Sequence, residues 1–227
     1  MPKKKQKTRK ITHPNWFDQT PAVYKPKDAA GKPYLTVATH VDGAQTIIRL
    51  AQAHDLSNVL EIGSGPNPIS LVIGAKKLTL FDLLEQHHEK ARQLIANLRE
   101  RALGNLPKVN FVTGDAREPV PPSLEQQHFS LVMINEMLTH VRPENRRAFL
   151  ERWGARADSL LIVDHHLPDA KLLAQYPEFM DGNQIRRHLQ EIGFTHNWIG
   201  IRNFDLAGDG ERQAYFFVAA TKKPLKH

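Results

Sequence analysis

VLEIGSGPNPIS, Val59 to Ser70, runs from an apolar β-type segment into glycines at alternate positions and then into an asparagine flanked by prolines. A strand that ends in a glycine turn and leads into a helix lets backbone N–H groups approach a ligand closely. A dinucleotide fingerprint would place a third glycine where Asn67 stands, between Pro66 and Pro68. Pro68 biases Asn67 toward extended geometry, Asn is a strong N-cap, and Pro is favoured at the first helical position. The segment therefore predicts a short helix, Pro68 to Ile73, capped by Asn67.

Outward from this turn, apolar runs alternate with longer amphipathic stretches. Ala38 to His54 has helical spacing, LTLFD (78–82) reads as a strand and Glu85 to Leu103 as a helix. VNFVTGD (109–115) and FSLVMIN (129–135) read as strands, Glu144 to Arg156 as a helix, and SLLIVD (159–164) as a strand. Gln184 to Ile192 looks helical. HNWIGIRNF and RQAYFFVAAT follow with no helix between them, which predicts an antiparallel hairpin. The β/α alternation predicts an α/β fold: a mostly parallel sheet with helices on both faces and a C-terminal hairpin. Residues 1–37 read as a basic arm containing Pro and aromatic residues, 38–223 as one domain, and 224–227 as a tail.

The formal charge of +7 is concentrated at the ends. Residues 1–10 hold six Lys/Arg and 221–227 three Lys, leaving 22 basic against 24 acidic residues between them. The arm is a solvated tail or an electrostatic contact for RNA. There is no cysteine, so disulfides, thiolate metal sites and cysteine nucleophiles are excluded. The apolar runs are too short to span a bilayer, so a cytoplasmic protein without membrane attachment is expected. His87-His88 and His165-His166 do not match a zinc helix signature, and Asp164 with Asp169 makes a thin magnesium site, so no metal is expected.

In an open α/β sheet, ligands sit at the carboxyl ends of the strands. Glycine turns in this place serve nicotinamide or flavin dinucleotides, and S-adenosylmethionine. Asp82, about 20 residues past Gly63, suits ribose hydroxyls in either case. Glu61 before the turn favours a cationic ligand over a pyrophosphate, and Asp115 offers an acceptor for an exocyclic adenine amine.

With these residues in register, the span Val41 to Lys223 resembles the class I S-adenosylmethionine-dependent methyltransferases, the seven-stranded Rossmann-like family. LEIGSGPN, LTLFDLL, VTGDA and LVMINEMLTHV resemble its first four motifs in order and spacing. The resemblance implies S-adenosyl-L-methionine as cofactor, with Glu61, Gly63, Ser64, Gly65 and the neighbouring Asn67 around its methionine part. It implies Asp82 on the ribose, Leu83 beside the adenine, Asp115 and Ala116 on the adenine edge, and Asn135 near the methyl. Each position also has a plain structural use: the glycines shape a turn, Asp82 caps a helix, and Asp115 makes an Asx turn.

For methyl transfer, His140 is the first choice as general base. Glu136 stands beside it if NEMLTH is helical, and His165 is a further candidate. Methylation at a pyrimidine C5 needs a cysteine nucleophile and is excluded. NEMLTHV departs from the Asn/Asp-Pro-Pro-aromatic run of exocyclic base-amine methyltransferases. The expectation is methyl transfer to an O or N atom of a small molecule, with residues 16–34 closing over the site. The alternatives are an RNA or ribosome methyltransferase using residues 1–10, and a catalytically inactive cofactor-binding scaffold.

Overall fold

The computed structural model describes residues 41–100, 106–166, 180–205 and 212–222. The arm 1–37 and the tail therefore lie outside the described residues, as do Asp169 and the segment after Glu100 through which the second helix was expected to run.

Two faces of apolar side chains organise the sheet. β1 (Val59–Ile62) is buried throughout, so its side chains serve both layers. Leu60 and Ile62 join the core containing Phe149, Trp153, Ile185 and Phe216, whereas Val59 joins the core containing Ala51, Leu71, Ala91 and Leu98. A strand with apolar residues at consecutive positions is what coverage on both faces demands. β2 (Lys77–Asp82) and β4 (Phe129–Asn135) follow the same rule, while β3 (Lys108–Thr113), at one edge, is only partly buried. β5 (Ala157–His165) closes the parallel set.

The helices pack by their apolar stripes. α1 (Val41–Gln52) and α2 (Glu85–Glu100) cover one face; α2 buries His88, Ala91, Leu94, Ile95 and Leu98 at helical spacing. α3 (Pro122–Glu125), α4 (Arg146–Gly154) and α5 (Gly182–Glu191) cover the other. Asp181 caps α5, its carboxylate accepting from the Asn183 N–H at 3.0 Å. This cap starts the helix two residues before the periodicity does. At Gly182 a Cβ would lie 2.8 Å from Phe216 Cβ and Ile199 Cδ1, so only glycine lets α5 approach the sheet this closely.

The sheet order is β3-β2-β1-β4-β5-β7-β6, with β6 (His196–Asp205) and β7 (Arg212–Thr221) forming the expected hairpin. β7 is antiparallel to both β5 and β6, so it alone is reversed. The architecture is the expected one, a seven-stranded Rossmann-like sheet, mostly parallel, with helices on both faces. The order in which strands are added reverses between the parallel neighbours β1 and β4, which places a crevice at their carboxyl ends.

Two local expectations are corrected. Asn67 does not cap a helix beginning at Pro68: Pro68 is itself the extended cap residue, without a side-chain cap bond, of a single 3-10 turn, Ile69–Val72. Four residues must return the chain to the sheet, and a tighter helix does so. Nor is NEMLTH an α-helix. Glu136 takes a left-handed backbone (φ 48°) and only Leu138–His140 forms a 3-10 turn.

Candidate active site

At the carboxyl ends of β1 to β4 lies a cavity of about 600 Å³, within the range of small-molecule sites. Its floor is the glycine turn. Gly63 (φ 69°) and Gly65 (φ 59°) adopt the left-handed conformation that other residues rarely take. The turn is fixed to the neighbouring strand: the Gly63 N–H donates to the Phe81 carbonyl at 2.9 Å, and the Gly65 N–H to Asp82 Oδ2 at 2.7 Å. A Cβ at Gly63 would press on the Asn135 carbonyl and Met137 Sδ at 3.3 Å, whereas Gly65 faces open space.

Asp82 is buried at the end of β2, and its other oxygen accepts from the Leu84 N–H at 3.0 Å and contacts His87 Nδ1 at 2.9 Å. It thus joins two loops and still borders the cavity. A carboxylate has roughly four acceptor positions, which leaves about one for a ligand unless His87 moves. Leu83, 54% exposed, offers an apolar surface beside it.

On the opposite wall, Asp115 and Ala116 border the cavity after β3. The Asp115 carboxylate closes an Asx turn with the Arg117 N–H at 2.9 Å and accepts from the Arg117 guanidinium at 2.6 to 3.1 Å. Arg117 holds this carboxyl below the usual range. The acceptor capacity expected for a ligand is therefore already used by Arg117.

Glu61 does not border the cavity. It is buried beneath the turn, where Oε1 accepts from Asn135 Nδ2 at 2.6 Å, and Oε2 from the Ser70 N–H at 3.2 Å and the Ser70 hydroxyl. Burial outweighs these bonds and raises its pKa to about 7. Among the described residues Asn135 Oδ1 and Ser64 Oγ are buried without a partner; Asn135 borders the cavity and Ser64 does not. Buried polar atoms without partners are rare and point to a missing ligand or water. Asn67 is half-buried and does not border the cavity.

The third wall is the Glu136–His140 loop. Asp164, fully buried, accepts from the N–H groups of Leu138 (2.7 Å) and Thr139 (3.3 Å). On the far side, Arg146 Nε donates to the Leu138 and Val141 carbonyls at 3.3 and 3.1 Å. Thus clamped, the loop puts Glu136 and His140 on the cavity. Burial raises the Glu136 pKa, with Asp164 adding to it, and burial raises Asp164 to about 6. His165 is not on the cavity: it stacks on Tyr215 with ring centroids 4.5 Å apart, and burial lowers its pKa, followed by repulsion from His140. Arg117, Met137 and His87 border the cavity without having been singled out for it. The Asx-turn reading of Asp115 was the one signal that bore on Arg117. Among the described residues no group of three metal-ligating side chains occurs, and no helix is long and apolar enough to cross a membrane.

No family model matches the chain, and no curated protein sequence matches it. Among solved structures it is similar to magnesium protoporphyrin IX methyltransferase from Synechocystis with bound S-adenosylmethionine, at TM-score 0.59 and 17% identity, over 92% of each chain. It is also similar to the N-methyltransferase NodS from Bradyrhizobium japonicum, at TM-score 0.59 and 13% identity, over 81% of this chain and 96% of that one. A proposed RNA methyltransferase from Pyrococcus horikoshii matches at TM-score 0.57 and 19% identity, over 88% and 93%. The fold is that of the class I methyltransferases.

Proposed function

We propose that the protein is an S-adenosylmethionine-dependent methyltransferase acting on an O or N atom. The observation that carries this reading is the cavity at the strand ends, floored by a turn with two left-handed glycines and bordered by Asp82, Asp115 and Asn135. The open space at Gly65 suits the methionine part of the cofactor. Asp82 would take a ribose hydroxyl on its remaining acceptor position. Leu83 would pack on the adenine, and Asp115 with the Ala116 N–H would meet its edge once Arg117 turns aside. Glu61 acts through Asn135, holding its side-chain amide at the cavity wall, and is a positioning residue.

When bound, the cofactor supplies a methyl group on a sulfonium, which needs alignment more than activation. His140 borders the cavity on a clamped turn and is the group we assign to take the acceptor's proton. Glu136, its carboxyl raised by burial, adds a second proton-accepting group on the same wall. Asp164 and Arg146 position both. His165, off the cavity, is left without a direct role in this reading.

Calorimetric titration with S-adenosylhomocysteine, followed by tritiated methyl transfer into metabolite pools and RNA, tests the proposal. Binding at micromolar concentration and label in one pool are expected. No binding would remove the assignment, and binding without transfer to any pool would leave a scaffold. His140→Ala is expected to lower turnover about 100-fold; an unchanged rate would remove His140 as base. The Lys-rich residues 1–10 and the likeness to the Pyrococcus protein favour RNA as the second reading of the acceptor. Deleting residues 1–10 should then weaken binding and reduce its salt dependence.

A further inference from the structure

Behind the loop that carries His140 lies a second cavity of about 410 Å³, sharing Asp115, Arg117 and His140 with the first. Its chemistry differs from the first. Three guanidinium groups border it, Arg117, Arg142 and Arg152, against the carboxylates of Asp115 and Glu118. Asp115 is committed to Arg117. Arg152 is held rigidly, one Nη1 donating to the carbonyls of Arg117 at 2.7 Å and Glu118 at 2.5 Å. These carbonyls fix the guanidinium without neutralising it.

Arg142, exposed at the rim, has no ion pair and no side-chain hydrogen bond among the described residues. The first turn of α4 also borders the cavity through Asn145, Ala148 and Phe149, and Asn145 makes no side-chain cap there. Guanidinium donors around a concave polar space match the oxygens of a phosphate better than those of any neutral group.

We propose that this cavity binds a phosphate group of the methyl acceptor. The acceptor is then a phosphorylated molecule, anchored next to the wall that carries His140. What the bound phosphate is for rests on the methyltransferase reading, but its binding does not, and it can be measured without cofactor.

The experiment is calorimetric titration of the full chain with inorganic phosphate, uridine 5′-monophosphate, uridine and a short oligouridylate, repeated on Arg142→Gln. Phosphate and the monophosphate should bind and uridine should not. Arg142→Gln should weaken the monophosphate about tenfold, the loss of one charge-assisted bond. Its affinity for S-adenosylhomocysteine should stay unchanged, which separates this site from the cofactor cavity. A phosphorylated metabolite as acceptor makes the monophosphate bind at least as tightly as the oligonucleotide. A polynucleotide acceptor reverses that order, with the same loss in the variant. Failure of every phosphate-bearing probe to bind would overturn the proposal. So would binding that Arg142→Gln leaves unchanged, or a monophosphate displaced by S-adenosylhomocysteine. If S-adenosylhomocysteine fails to bind while the phosphate probes do, the methyltransferase reading fails and the phosphate site stands.

Discussion

Asp82 does structural work before it meets any ligand. Its carboxylate joins the Gly65 N–H, the Leu84 N–H and His87, tying the glycine turn to the start of α2. The substitution Asp82→Ala should therefore have two separable effects. Stability should fall by about 1–2 kcal/mol, read from urea unfolding, because a cap-like acceptor and a buried partner are both lost. S-adenosylhomocysteine affinity should fall at least tenfold; unaltered affinity would remove Asp82 from the cofactor site. At this scale the sequence was partly legible. The turn glycines and Asp82 follow from local rules of backbone conformation and strand ends. The orientation of Glu61 does not, because it depends on Ser70 returning under the turn and on Asn135 arriving from β4. Asn67 misled because a good cap residue before proline has the right chemistry for a helix, while the space allows only a 3-10 turn.

Periodicity is informative in proportion to length. FSLVMIN coincides with β4, and the stripe of α2 is plain in the sequence, whereas α3, four residues long, has no period to detect. Contact requirements explain what pattern cannot. Gly182 is the first residue of α5, where the helix lies against Phe216 and Ile199. Gly182→Ala should cost about 1–3 kcal/mol by overpacking, despite the better helix propensity of alanine. Chemical denaturation measures this directly, and a stabilised variant would show that α5 can move away from the sheet.

For the molecule as a whole, buried acids shape the response to pH. Glu61 and Asp164 have folded pKa values of about 7 and 6, above their ordinary carboxylate values. A raised acid binds its proton more tightly when folded, so its contribution is fully present below the ordinary carboxylate range and is lost as pH rises through the folded value. His54, His165 and His166 are lowered by burial and act oppositely, losing stability as pH falls through the ordinary histidine value. The clean measurement is a difference. From pH 4.5 to 7 the wild type should lose up to about 3 kcal/mol more stability than Glu61→Gln. Parallel curves for the two proteins would show that the Glu61 carboxyl titrates normally.

The reversed strand sets a rule for the order of assembly during synthesis. β7 leaves the ribosome after β1 to β6, yet it lies inside the sheet, with β5 on one side and β6 on the other. Until it has emerged, β6 has no sheet to join and the edge of β5 stays unpaired, a surface open to premature association. The growing chain can thus complete the β3-β2-β1-β4-β5 half, including the glycine turn, and must wait for its last described strand to close the other.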